Sequence, residues 1–247
     1  MYRIQCSEIW GGIKNLNTEV STASVRASVY AQSAKGEKGG DFYYFSVCGA
    51  DRVTRIVIGD VTGHGEEVSA FSQWVYEIMK AQMSQVKSCG ILKKLNERIQ
   101  NECFASLATL AIVCFYVQDK KLYISYAGHP PVLIGRKKDA DWNPLLLGAT
   151  PDVANLPIGV TRDVQYVDRE IALETGDRLF FYTDGLIEAR NQQGEAFGMD
   201  RLLASVRKIG MGDSAKVKEQ VLCDLDAFAS LLKLRDDFTL ISAEVIA

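Results

Sequence analysis

The sequence predicts an α+β domain in which β-sheets are flanked by helices, and three features carry that expectation. Segments rich in β-branched and aromatic residues recur along the 247-residue chain, bounded by glycine and polar turns. Between some of them the apolar period changes to that of a helix, and no internal repeat or low-complexity linker divides the chain. With 47% hydrophobic and 24% charged residues, there is enough apolar material for a sizeable core.

Taken in order, "SVRASVYAQ" (24–32), the polar loop "SAKGEKGG" (33–40), "DFYYFSVCGA" and "RVTRIVIGD" read as consecutive antiparallel strands. From Glu66 the spacing of Val68, Phe71, Val75, Ile78 and Met79 is helical, and Glu66 and Glu67 suit the positive end of the helix dipole. A second helix, "ILKKLNERIQNE" (91–102), follows Gly90. "LATLAIVCFYV" (107–117) and "LYISYAG" are separated by the dipeptides "QD" and "KK", a hairpin signature, and "PPVLIGR" continues the sheet. The polar stretch 137–163, with Pro144, Pro151 and Pro157, reads as a long excursion or flap containing short structured pieces. "VQYVDREIAL", "DRLFFYTDG" and "DDFTLISAEV" supply further strands, with helices near 200–208 and 214–231 between the last two.

Composition excludes some functions. A net charge of -3 gives no general attraction to nucleic acid or anionic lipid. No apolar stretch approaches the ~20 residues of a membrane span, and the start "MYRIQCSEIW" lacks the basic and apolar regions of a signal peptide. Six scattered cysteines with no C-x-x-C pair read as free thiols in a reducing cytoplasm, so a cytoplasmic location is expected.

Four segments place an aspartate beside a turn position at the mouth of an apolar strand: "GGDFYYF" (Asp41), "IVIGDVTGHG" (Asp60), "LFFYTDG" (Asp184) and "RDDFTLIS" (Asp236, Asp237). A carboxylate there can point into a shared cleft while its strand stays buried, and glycine beside it permits close backbone approach. Aspartates without accompanying cysteine, in a chain with only two histidines, suit a hard cation such as Mg²⁺, Mn²⁺ or Ca²⁺ rather than Zn²⁺. Gathered carboxylates repel one another unless cations neutralise them. Two divalent ions about 3.5 to 4 Å apart can acidify a bridging water and clamp a phosphate. Singly, each motif is equally an ordinary turn; no D-x-D-x-D-G calcium loop occurs.

As an ordered set, "GGDFYYF", "GDVTGHGEEVS", "NECFASLATLAIVCFY", "YAGHPPVLI", "LPIGV", "LFFYTDGLIEARNQQGEAFG" and "RDDFTLI" resemble the bacterial stage II sporulation protein E-type phosphatases, a branch of the metal-dependent protein phosphatase 2C superfamily. The resemblance runs from about residue 20 to the C-terminus. It implies a four-layer αββα β-sandwich of two antiparallel sheets flanked by helices, with a binuclear Mn²⁺ or Mg²⁺ centre at one end. It also implies hydrolysis of phosphoserine or phosphothreonine on a protein, commonly an anti-sigma-factor antagonist in a partner-switching pathway. Asp60 is similar to the carboxylate that bridges both metals, and Val61 would lend its backbone carbonyl. Asp41 resembles the ligand from the preceding strand, and Asp184 and Asp236 the ligands of the other metal. Attack would be by metal-bound hydroxide without a phosphoenzyme; Asp41 and Asp60 are the expected catalytic carboxylates. Asp237 and Gly185 are expected to support the site rather than ligate.

The pattern departs from eukaryotic members where those place an acidic histidine two residues after the bridging aspartate; Thr62 stands here, and His64 follows. His64 is expected to cap or pack the next helix, and His129 in "AGHPP" to organise a loop. Phosphate-binding residues are not assigned; Arg26, Lys35 and Lys38 are the cationic candidates. One phosphatase domain over 1–247 is expected, with about 1–20 an N-terminal extension and no separate sensor domain. Regulation would then come from a separate protein at the helices after Asp60, or from homodimerisation. The competing reading is a catalytically silent binding module that recognises a phosphoprotein.

Overall fold

The computed structural model of the chain describes residues 2–3, 8–11, 15–34, 39–48, 52–62, 66–82, 87–102, 107–147, 156–229 and 236–247. Its elements run β1 (Tyr2–Arg3), β2 (Glu8–Gly11), β3 (Leu16–Ser21), β4 (Val25–Gln32), β5 (Asp41–Cys48), β6 (Val53–Val61), α1 (Glu66–Ala81), α2 (Ser88–Glu102), β7 (Ala108–Tyr116) and β8 (Lys121–Ala127). They continue as β9 (Leu133–Arg136), β10 (Asp141–Pro144), β11 (Arg169–Ala172), β12 (Arg178–Tyr182), α3 (Asp184–Glu188), α4 (Gly198–Ile209), α5 (Ser214–Ala229) and β13 (Phe238–Val245). One sheet has the order β1-β3-β4-β13-β12-β9-β10 and the other β11-β8-β7-β6-β5-β2. All neighbours pair antiparallel except β1 with β3.

Strand alternation builds the layers. Along β5, Tyr43, Phe45 and Val47 face the opposite sheet, while Phe42 and Tyr44 face helices. Both faces are covered, which is why this central strand is a nearly unbroken aromatic run. Between the sheets, Ile56 and Ile58 of β6 meet Leu179 and Phe181 of β12 and Ile241 and Ala243 of β13. On one outer face Val75, Ile78 and Met79 of α1 pack with Ile91, Leu92, Leu95 and Ile99 of α2. On the other, Leu202 and Val206 of α4 and Val217, Val221 and Leu225 of α5 cover Phe180, Tyr182, Phe238 and Leu240. The result is the expected αββα sandwich.

Three segments gain detail. Residues before 20 do more than extend the domain: β3 pairs along β4 from Leu16↔Ala31 to Ser21↔Arg26, and β2 pairs with β5. The stretch "LNTEVS" lacks clean alternation because only Val20 is fully buried, so its strand character comes from its partner. "VQYVDREIAL" forms a strand only over Arg169–Ala172, an edge position against β8. Within the expected flap, β10 folds back on β9 as a hairpin, and Gly135 is required there because a Cβ would stand 2.8 Å from the Trp142 ring. Among the described residues no helix is long and apolar enough to cross a membrane.

Candidate metal centre

The rows of side chains that line the space between the sheets end in polar groups at the same end. On β5 the row Val47, Phe45, Tyr43 reaches Asp41, and on β6 the row Ile56, Ile58 reaches Asp60. Leu179 and Phe181 lead to Thr183, while Ala243 and Ile241 lead to Thr239 and then Asp237. The apolar residues fix the strands; the last inward positions then project oxygen atoms into one region.

Register makes this sharper. Asp41 lies directly opposite Asp60 in the β5–β6 ladder, so two carboxylates form a cross-strand pair, an arrangement that is destabilising for like charges. Asp41 is buried, and burial followed by the Asp60 charge holds its carboxyl well above the usual carboxylate range, against the pull of the Thr183 hydroxyl. Half-buried Asp60 is pushed from 3.8 up to about 7 by burial, then by the charges of Asp184, Asp236 and Asp237. Asp184 opens α3, and its carboxyl is raised by burial, then by Glu188 and Asp236. All five sequence-predicted aspartates therefore share one electrostatic environment. Glu188 was not anticipated; its place at i+4 from Asp184 on a helical turn is the signal that could have found it.

Among the described residues, no three His, Cys, Asp or Glu side chains stand close enough to hold one ion unaided. That spacing suits Mg²⁺ or Mn²⁺ sites, in which one or two carboxylates share a cation with several waters, better than a closed protein cage. Nor, among the described residues, do the ion pairs of the protein give any of these aspartates a lysine or arginine partner. An all-oxygen donor set carrying excess negative charge fits hard divalent cations; its carboxyl groups are raised by burial first and by neighbouring acidic charges second.

Asp237 differs from its neighbours. Its Oδ1 accepts the backbone N–H of Ala34 and its Oδ2 that of Gly40, both at 2.8 Å. A Cβ on Gly39 would stand 2.3 Å from Asp237 Oδ2, and one on Gly185 would stand 1.9 Å from the Asp237 carbonyl oxygen. The glycines of "GGD" and "TDG" thus let the chain close around Asp237. Asp236, exposed beside it, accepts the Asp237 N–H at 2.9 Å.

Val61 is buried and donates its N–H to Gly40. The Thr62 hydroxyl donates to the Leu107 carbonyl at 3.1 Å and accepts the Leu107 N–H at 3.0 Å, so it fastens the end of β6 to the start of β7. Arg26 lies six residues back along β4 from Gln32, about 20 Å from the aspartate end at ordinary strand rise, too far to meet a phosphate held there. Lys35, Lys38, Gly63, His64 and Gly65 fall outside the described residues.

His129 is buried with Nδ1–H donating to the Pro130 carbonyl at 3.0 Å and Nε2 without a partner. Burial lowers its imidazole from 6.5 to about 4, the local hydrogen bond opposing. The unfolded chain therefore binds this proton as pH falls through about 6.5 while the native protein does not until about 4. Stability from His129 is full above that window and is lost as pH falls through it. Chemical unfolding at a series of pH values is expected to show a flatter acid-side slope between 6.5 and 4 for His129→Asn than for the unsubstituted protein.

Residues 50–246 match the family of Stage II sporulation protein E (SpoIIE). The chain belongs to the SpoIIE family. Among relatives of this SpoIIE-family chain, the phosphoserine phosphatase RsbU of Bacillus subtilis is 28% identical over 212 residues, covering 83% of this chain and 59% of RsbU. The chain thus spans well under two thirds of that relative's length. The SiaA-PP2C domain of Pseudomonas aeruginosa has the same fold, with TM-score 0.74 at 19% identity over 88% of this chain and 85% of that one. The catalytic domain of the serine threonine protein phosphatase PstP in complex with two manganese ions aligns with TM-score 0.61 at 15% identity, over 91% and 99% of the two chains. The SpoIIE-family assignment and these folds agree with the αββα sandwich described above.

Proposed function

We propose that the chain is a metal-dependent protein serine/threonine phosphatase acting on a phosphorylated signalling protein. One observation carries the reading: carboxylates from both sheets converge at one end of the sandwich, with Asp41 opposite Asp60 and an excess of negative charge that suits divalent cations. Membership of the SpoIIE family, similarity to a phosphoserine phosphatase, and a shared fold with a phosphatase holding two manganese ions support it.

Asp41, Asp60, the Val61 carbonyl, Asp184 and Asp236 would together hold two divalent cations, Mn²⁺ or Mg²⁺, with waters completing the coordination and Asp60 as the shared carboxylate. When bound, the cations supply a water acidified to act as nucleophile and Lewis-acid stabilisation of the phosphoryl oxygens. The chain's own part is to hold the carboxylates in place. Thr62 is committed to Leu107 and Asp237 to two backbone N–H groups, so both orient the site. The substrate we favour is an anti-sigma-factor antagonist of a partner-switching pathway, with the α1–α2 layer as the surface for a regulatory protein or a second copy. A silent binding module would have no use for a desolvated, self-repelling acidic cluster.

A phosphoserine peptide and a phosphotyrosine peptide, each incubated with purified protein in Mn²⁺ and in EDTA, test this. Phosphate release from phosphoserine in Mn²⁺ that stops in EDTA is expected. Release unaffected by EDTA would refute the metal reading; binding without release would favour the module.

A further inference from the structure

We infer that Thr183, together with Asp237, is a positioning brace that sets the gap between the carboxylates of one sheet and those of the other. Asp41 and Asp60 belong to the β5–β6 sheet, whereas Asp184 and Asp236 sit at the ends of β12 and β13 in the other sheet. Sandwich sheets are held by side-chain packing about 10 Å apart, which leaves their separation at a rim to whatever links them there. Among the described residues two backbone-anchored links cross here, and they flank Asp41.

In the first, Thr183 Oγ1 donates to Asp41 Oδ2 at 2.7 Å while accepting the Thr239 N–H at 2.9 Å. Thr183 is fully buried, so water does not compete for these bonds. It also occupies the N-cap position of α3, where a threonine hydroxyl ordinarily bonds to the helix's own N–H groups; here it makes no such bond. The hydroxyl is turned away from the helix and across to the opposite sheet. In the second link, Asp237 at the head of β13 accepts the N–H of Gly40, the residue before Asp41. Thr183 precedes Asp184 and Asp237 follows Asp236, so each link is one peptide unit from a carboxylate of the second pair.

The inference rests on the metal reading above, and the test separates the two. Mn²⁺ is titrated into metal-free protein by calorimetry, and p-nitrophenyl phosphate hydrolysis is measured alongside, for wild type, Thr183→Val, Thr183→Ser and Thr54→Val. The last breaks the comparable cross-sheet bond at the far end of the sandwich, Ser24 Oγ to Thr54 Oγ1 at 2.9 Å. Thr183→Val is expected to weaken Mn²⁺ binding about tenfold or more and to lower kcat with KM little changed, because a charge-assisted hydrogen bond is lost. Thr183→Ser is expected to remain within about threefold of wild type, since its hydroxyl preserves the bond. Thr54→Val is expected to lower the melting temperature and leave Mn²⁺ affinity intact. If Thr183→Val does not fold, Thr183→Ala replaces it with the same expectation. Wild-type Mn²⁺ affinity in Thr183→Val, or an equal loss in Thr54→Val, would overturn the brace alone. A wild type that takes up no Mn²⁺ would overturn the metal reading and the brace with it.

Discussion

Replacing Asp60 by Asn is expected to abolish Mn²⁺-dependent phosphate release, lowering kcat/KM by roughly 10³-fold or more, about 4 kcal/mol of transition-state stabilisation. The same substitution is expected to stabilise the metal-free protein. Asp60 faces Asp41 across the ladder and senses Asp184, Asp236 and Asp237, and its carboxyl is pushed to about 7, so at pH 8 the folded state carries a charge it disfavours. A neutral amide of the same shape removes that repulsion. A gain of about 1 to 2 kcal/mol, or about 2 to 8 °C in melting temperature for a chain of this size, is expected at pH 8 without metal. Added Mn²⁺ should raise the melting temperature of wild type and not of the variant. Differential scanning fluorimetry with and without Mn²⁺ reads both effects; a variant that melts lower without metal yet keeps its Mn²⁺ response would show that Asp60 serves packing instead.

Gly185→Ala is the second large effect. The added methyl would stand 1.9 Å from the Asp237 carbonyl oxygen, and the atom it meets is backbone, which cannot swing aside. Relief requires moving the start of β13 away from α3, which disturbs Asp184, Asp236 and the Asp237 bonds to Ala34 and Gly40 together. Overpacking of this kind costs about 1 to 3 kcal/mol or more, so the melting temperature should fall by about 2 to 12 °C. Mn²⁺ affinity should fall as well, measured by calorimetry below the new transition. Gly39→Ala meets the Asp237 carboxylate first, at 2.3 Å, a side-chain group rather than backbone, and a smaller loss is expected. Comparable losses from the two would mean that the carboxylate is as immovable as the backbone.

Much of the fold was legible because the period of apolar residues encodes it locally. β5 and β6 are apolar runs closed by aspartates, and α1 begins at Glu66 where the period changes, as the pattern indicated. β3 was not legible, since "LNTEVS" becomes a strand through its long ladder with β4 rather than through its own propensities. The candidate site divides in the same way. Each aspartate announces itself beside a glycine or turn, but that Asp41 faces Asp60 is a matter of register between two strands. The Thr183–Asp41 and Asp237–Gly40 bonds join residues 142 and 197 positions apart, and no local pattern marks them. Thr183 in "TDG" has the appearance of a helix cap, and only the tertiary fold turns its hydroxyl to another use. Arg26 shows the converse: its place on an N-terminal strand made it one of three cationic candidates for a phosphate, and strand length carries it to the opposite end.

Anomalous diffraction from crystals grown in MnCl₂ tests the proposed binuclear metal centre. Two anomalous peaks are predicted, lying between the Asp41–Asp60 pair and Asp184 with Asp236, one on each side of the Asp60 carboxylate. Manganese bound elsewhere in an otherwise well-ordered crystal, with none among these aspartates, would contradict the account.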